Sequence, residues 1–81
     1  MNIPPLTAVS SSQLAEIGHD PETNTLFIRF NPKEGEDKGP LYSYDGFDAE
    51  AYGKFVLAPS TGSHFYRNIK GKYTYTKLEG Q

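Results

Sequence analysis

The sequence predicts an α+β fold: a small antiparallel sheet of three strands with two short helices on one face, in the order β-β-β-α-α. A fourth strand at the C-terminal end is the open alternative. Three observations predict it. Alternation of period two is confined to the first half, where Leu26, Ile28 and Phe30 alternate with Thr25, Phe27 and Arg29. Helical spacing takes over after Asp48, with Ala49, Tyr52, Phe55 and Val56, then Phe65 and Ile69. Turn and breaker residues (Asp20-Pro21, Asp45-Gly46, Pro59) separate the segments.

Residues 1–9 read as an irregular arm, because Pro4 and Pro5 exclude helix and favour extended backbone. Between Gln13 and His19, Ile17 and His19 share one strand face. Leu14 is out of step with them, so a bulge is expected near Ala15–Glu16. Asp20 to Asn24 is a turn, which makes the first two strands a hairpin. The next ten residues, NPKEGEDKGP, hold three acids, two bases, two glycines and two prolines and no apolar anchor; they predict a mobile surface loop. Leu41 to Phe47 is the third strand, with Tyr42 and Tyr44 on one face. Asp48 is a helix N-cap with Glu50 in the first turn, and Pro59 stops that helix near Leu57–Ala58. Ser60 caps a second helix, whose inner side carries Phe65 and Ile69, and Gly71 follows its end. Tyr73 to Thr76 alternate and read either as a last edge strand or as a packed tail; residues 79–81 are a tail.

With 81 residues the chain is one domain. It has no cysteine, so no disulfide, thiolate metal site or cysteine nucleophile exists, which suits a reducing compartment. No apolar run approaches a membrane span, and the N-terminus lacks the basic and apolar regions of a signal peptide. A cytoplasmic protein without a membrane partner is therefore expected. The net charge of −2 is unevenly spread. Residues 1–59 hold four cations against nine acids, or −5; residues 60–81 hold Arg67, Lys70, Lys72 and Lys77 against Glu79, or +3. That asymmetry points to an anionic partner at the C-terminal end.

Three candidate sites follow from the residues. The first is an aromatic and basic surface of His64, Tyr66, Arg67, Lys70, Lys72, Tyr73 and Tyr75, in which bases of single-stranded nucleic acid stack on rings while cations hold phosphates. Against it stand the small number of cations and the need of a small domain to bury its rings. The second is the pair Tyr42 and Tyr44: exposed, they are a stacking platform; buried, they pack against Tyr52 and Phe55 with their hydroxyls at the boundary. The third is the helix start at Ser60 and Gly62, where backbone N–H groups can hold the phosphate of a small nucleotide, although it lacks the pattern of a P-loop. His19 and His64 are far apart and lack ligand-like spacing to carboxylates, and His19 and Asp20 point to opposite faces of a strand. No nucleophile motif is present. No metal, cofactor or catalytic activity is expected.

Several short pieces occur in a familiar order: Ser11-Ser12, Ile17-Gly18-His19-Asp20, Leu26, Ile28 and Phe30, Tyr42-Ser43-Tyr44, Ala58-x-Ser60-x-Gly62, Phe65, Ile69-Lys70 and Tyr73. Together they resemble the KTSC domain, a short module found at the C-terminus of some lysyl-tRNA synthetases and alone in small bacterial and phage proteins. The resemblance runs from about Val9 to Tyr75 and places a single KTSC-like domain at residues 10–78. The chain departs from the pattern at His19 (usually tyrosine), at Phe47-Asp48 (usually Val-Pro), at Tyr66 (often asparagine) and in its longer loop before Leu41. The resemblance implies an RNA-binding role through attachment to a synthetase, which is an association rather than a mechanism. The expected function is thus a non-catalytic domain that binds RNA or single-stranded nucleic acid weakly. The alternatives are a protein–protein module that docks on a host or phage protein, and a small nucleotide site at Ser60–Gly62.

Overall fold

The computed structural model describes residues 3–78. Its centre is the hairpin of β2 (Leu14–Asp20) and β3 (Thr25–Phe30). The expected bulge is present: the register shifts between Leu14 and Glu16, after which Ile17 pairs with Ile28 and His19 with Leu26. The extra residue turns both Leu14 and Ile17 to one face, where they are buried. The hairpin turn is closed by the Glu22 N–H, which donates to Asp20 Oδ1 at 3.0 Å, and Asn24 takes φ 52°.

β4 (Leu41–Asp45) pairs antiparallel with β3, placing Tyr44 opposite Leu26 and Tyr42 opposite Ile28. The sheet has five strands in the order β1-β2-β3-β4-β5, one or two more than the sequence predicts. The additions are both edges. β1 (Thr7–Ala8) lies within the arm read as irregular and pairs with Ile17 and Glu16. β5 (Tyr75–Leu78) pairs with β4 two residues later than expected. The Asp45 N–H donates to the Thr74 carbonyl at 2.9 Å, and Tyr73 is occupied beside Phe47, so pairing begins beyond them.

Two helices cover one face. α1 (Ala49–Val56) is capped by Asp48, whose Oδ1 accepts the Ala51 N–H at 2.8 Å. Its inward line runs through Ala51, Tyr52 and Phe55. Ala49 and Val56, expected on that stripe, face solvent, because the helix is rotated to bring Phe55 fully inside. α2 (Thr61–Asn68) is capped by Ser60, whose Oγ accepts the Ser63 N–H at 3.3 Å, and it buries Phe65, followed by Ile69. The core joins Leu14, Ile17, Leu26, Ile28, Tyr44 and Phe47 of the sheet side to Phe55, Phe65 and Ile69 of the helices. No helix among the described residues is long and apolar enough to cross a membrane.

The opposite sheet face is also covered. Phe27, Leu41 and Ser43 are buried there. Gly18 pairs with Phe27, and a Cβ on Gly18 would meet Leu6 Cδ2 at 2.7 Å and the Pro5 carbonyl at 3.0 Å, so the N-terminal arm lies directly on that strand. Arg29 works on the same side. Its Nε sits 3.5 Å from Glu16 Oε1, and its Nη1 donates to the Gly39 carbonyl at 2.9 Å. The loop from Asn31 to Pro40, expected to be mobile and without an apolar anchor, is held at both ends by polar contacts. The Phe30 N–H donates to the Pro40 carbonyl, and the Asn31 N–H to the Gln13 carbonyl. Between those ends, residues 32–38 are exposed.

A Cβ on Gly39 would overlap the Phe30 carbonyl, whereas one on Gly53 in α1 would meet nothing. Gly39→Ala should lower stability by about 1–3 kcal/mol, and Gly53→Ala should raise it by roughly 0.5–1 kcal/mol. Urea unfolding midpoints check both, and equal shifts of one sign would contradict the packing described.

Candidate nucleic-acid interface

Phe65 sets the geometry of the site. Its ring lies 5.5 Å from that of Phe30 and 5.9 Å from that of Tyr44, both at edge-on angles. Phe30 meets Tyr42 at 5.4 Å, and Tyr75 sits 5.7 Å from Tyr42 and 5.9 Å from Tyr44. Strand register explains the grouping: Tyr42 and Tyr44 alternate onto the helix side of β4, and Tyr75 is the cross-strand neighbour of Tyr44. These rings form the floor and one wall of a groove of about 590 Å³ between the sheet and α2. Tyr66, the residue after Phe65, forms the other wall and is 53% exposed; Tyr75 is 60% exposed. Lys70 stands one turn beyond Tyr66. Its Nζ donates to the Tyr66 hydroxyl at 3.1 Å and lies 4.2 Å from the ring centroid, a cation–π contact that braces the ring. Lys33 lines the far end.

A second, polar cavity of about 410 Å³ adjoins the groove. It lies between the Ser10–Gln13 loop and the start of α2, with Ser60, Gly62, Ser63 and Arg67 on its helix side. Tyr66, Ser12 and Gln13 line both spaces, so Tyr66 is the ridge between them. The loop is fixed from two sides. Ser11 Oγ accepts the N–H groups of Gln13 and Leu14, and Asn31 Nδ2 donates to the Ser11 carbonyl at 3.1 Å.

The sequence-predicted residues thus divide. Tyr42, Tyr44, Tyr66, Lys70 and Tyr75 share the groove; Ser60, Gly62 and Arg67 share the cavity beside it. His64 lines neither space: its ring stacks on Phe55 at 5.3 Å, and it shares a separate cleft with Ser60 and Arg67. Tyr73 packs edge-on to Phe47 at 5.1 Å and shares a separate cleft with Asp48 and Glu50. Lys72 lines neither the groove nor the cavity. Tyr44 is buried and Tyr42 half-buried, but they pack against Phe30, Phe65 and Tyr75 rather than Tyr52 and Phe55. Tyr52 instead stacks on His19 at 4.9 Å, and burial raises its phenol pKa. Sequence reasoning missed Gln13, Phe30, Asn31 and Lys33 as lining residues. For Phe30 a signal existed, since it alternates onto the same sheet face as Tyr42.

Neither the groove nor the cavity is lined by an aspartate or glutamate. The chain has ten acids, so the sign of this surface runs against that of the whole. Among the described residues, no three histidines or carboxylates cluster in a way that could hold a metal ion.

The model of the KTSC domain matches residues 10–73. The chain belongs to the KTSC domain family. A crystal structure of a KTSC domain protein from Yersinia pestis superposes with a TM-score of 0.78 at 35% identity, covering 91% of this chain and 96% of that one. An uncharacterized protein of Stutzerimonas stutzeri is 32% identical over 73 residues, 89% of this chain and 94% of its own length. A lysine–tRNA ligase of Nostoc punctiforme is 31% identical over 74 residues, which are 91% of this KTSC chain but only 12% of the ligase.

In this KTSC domain Tyr44 reports on the groove floor. Burial, and then the neighbouring Tyr42 and Tyr75 phenols, push its hydroxyl from 10.0 up to about 12. Folding therefore favours the neutral phenol. That contribution is fully present below pH 10 and is lost as pH rises through about 12. Two pH units correspond to about 3 kcal/mol. Between these limits wild type should lose stability relative to Tyr44→Phe by up to that amount in urea titrations; parallel pH profiles would refute the assignment.

Proposed function

We propose that this KTSC domain is a non-catalytic binding domain for single-stranded nucleic acid, RNA in particular, and that the groove between α2 and the sheet is where it binds. The observation that carries the reading is an acid-free surface on a net acidic chain, on which two exposed tyrosine rings stand beside cations. Unpaired bases stack on such rings without regard to sequence. Lys70 and Lys33 line the groove and Arg67 the cavity on either side of Tyr66, within reach of the backbone phosphates of a bound strand. Lys70 is exposed, so its ammonium can move from the Tyr66 ring to a phosphate. The kinship with a lysine–tRNA ligase, a protein whose name places it on an RNA substrate, supports the same class of partner.

The energetics predict weak, salt-sensitive binding. Each cation–phosphate contact on a single strand contributes about −0.7 to the slope of log K against log salt, so three cations give a slope of about −2. Each stacked base adds on the order of 1–3 kcal/mol. A second reading, docking on a protein, is favoured by the tip of α1, where Leu57 is 83% and Val56 48% exposed. Isolated exposed apolar residues are ordinary on small domains, however, and this tip lies outside both spaces.

Fluorescence anisotropy with short labelled RNA and DNA strands at low and moderate salt tests the reading. Tyr66→Ala or Tyr75→Ala should weaken binding roughly 5- to 100-fold, the range of one lost stack. Lys70→Ala should make the salt slope shallower. Leu57→Ser should change nothing. No binding at low salt, or equal losses in the Leu57 and Tyr66 variants, would sink the proposal.

A further inference from the structure

We infer that the polar cavity beside Tyr66 is a subsite for a terminal phosphate, so that the strand bound in the groove is recognised at a phosphorylated end. The inference rests on the groove reading and adds to it the class of strand that is preferred.

The cavity and the groove are one continuous surface, sharing Ser12, Gln13 and Tyr66. A strand with its last base against the Tyr66 ring therefore has its end group at the mouth of the cavity. Much of what lines the cavity can donate a hydrogen bond. Ser10, Ser12, Ser60 and Ser63 supply hydroxyls, Arg67 supplies a guanidinium, and no carboxylate is present. Two of these hydroxyls are engaged with each other: Ser60 Oγ lies 3.2 Å from Ser63 Oγ within the helix cap. Ser10, Ser12 and Arg67 are different. Among the described residues their side chains make no hydrogen bond and no ion pair. Arg67 is exposed at the edge of a cavity that no acid lines, so its guanidinium is free to meet an anion there.

The donor set also selects the kind of anion. A diester phosphate within a strand offers two free oxygens and one charge. A terminal monoester offers three free oxygens and close to two charges at neutral pH. The planar guanidinium fork binds two of those oxygens side by side. The Ser10 and Ser12 hydroxyls on the opposite wall can serve the third. Room is sufficient: about 410 Å³ falls within the range of small-molecule sites and exceeds what a phosphate alone requires. Gly62 contributes by being small, since a Cβ there would stand 3.1 Å from Ser11 Oγ and narrow the space between helix and loop.

The test compares one short single strand in three forms: hydroxyl at both ends, phosphate at the 5′ end, and phosphate at the 3′ end. Anisotropy is measured with wild type, Arg67→Ala and Tyr66→Ala. One phosphorylated form should bind wild type about tenfold more tightly than the hydroxyl form, as expected for a charge-assisted hydrogen-bonded pair. Arg67→Ala should reduce that ratio to under threefold, over and above the common loss that removing one backbone-phosphate cation brings to all three forms, and Ser12→Ala should act in the same direction by less. If all three forms bind alike, in a manner that Tyr66→Ala weakens, the phosphate subsite falls and the groove reading stands. If the phosphate advantage survives Arg67→Ala, the subsite lies elsewhere and the inference is overturned. If no form binds, both readings fall.

Discussion

The insertion of Phe65 between Phe30 and Tyr44 is the contact on which the rest of the surface depends. It seats α2 on the sheet with a ring that is almost wholly buried, and burial of such a ring is among the largest single contributions a domain of this size has. Once Phe65 is fixed, the helix phase fixes its neighbours. Tyr66 must emerge beside the groove, Lys70 must follow one turn later, and Arg67 must stand at the edge of the cavity by the Ser10–Gln13 loop. The packing of one core residue thus positions a wall, a brace and a cation that the core itself does not use.

The same arrangement separates the charges of the molecule. On the far flank of α2, the cleft near Tyr73 contains Asp48, Glu50 and Lys54, the ordinary mixture of a solvated surface. On the near flank the charged residues of the two spaces beside Tyr66 are all cations. Electrostatic focusing by such a surface is modest with three cations, and on the proposed reading ring stacking would supply most of the free energy of binding.

Local chemistry made much of the fold legible. Asp48 and Ser60 are caps because their side chains bond N–H groups three residues on, and the misfit of Leu14 with Ile17 is visible as a bulge without any partner strand. Features made through space were not. Thr7–Ala8 becomes a strand only because β2 offers an edge, and the loop anchor at Gly39 exists only because Arg29 crosses to it. The inner face of α1 was misjudged at Ala49 and Val56, since four apolar residues with nearly helical spacing do not specify the phase of a short helix. The site was half legible for a related reason. Grouping His64 with Tyr66 treats near neighbours in sequence as neighbours in space, yet two steps along a helix turn a side chain by about 200°. Gln13, Asn31 and Lys33 reach the site from segments distant in the chain, and no spacing rule joins them to Tyr66.

Amide chemical-shift mapping with a short unlabelled single strand tests the central claim most directly, since it locates contact without relying on any substitution. The account predicts that the largest shifts fall on Gln13, Asn31, Tyr66, Lys70 and Tyr75, with α1 and the β2–β3 turn unmoved. Shifts centred on Val56 and Leu57, or spread evenly around the basic side chains of the whole domain, would contradict it.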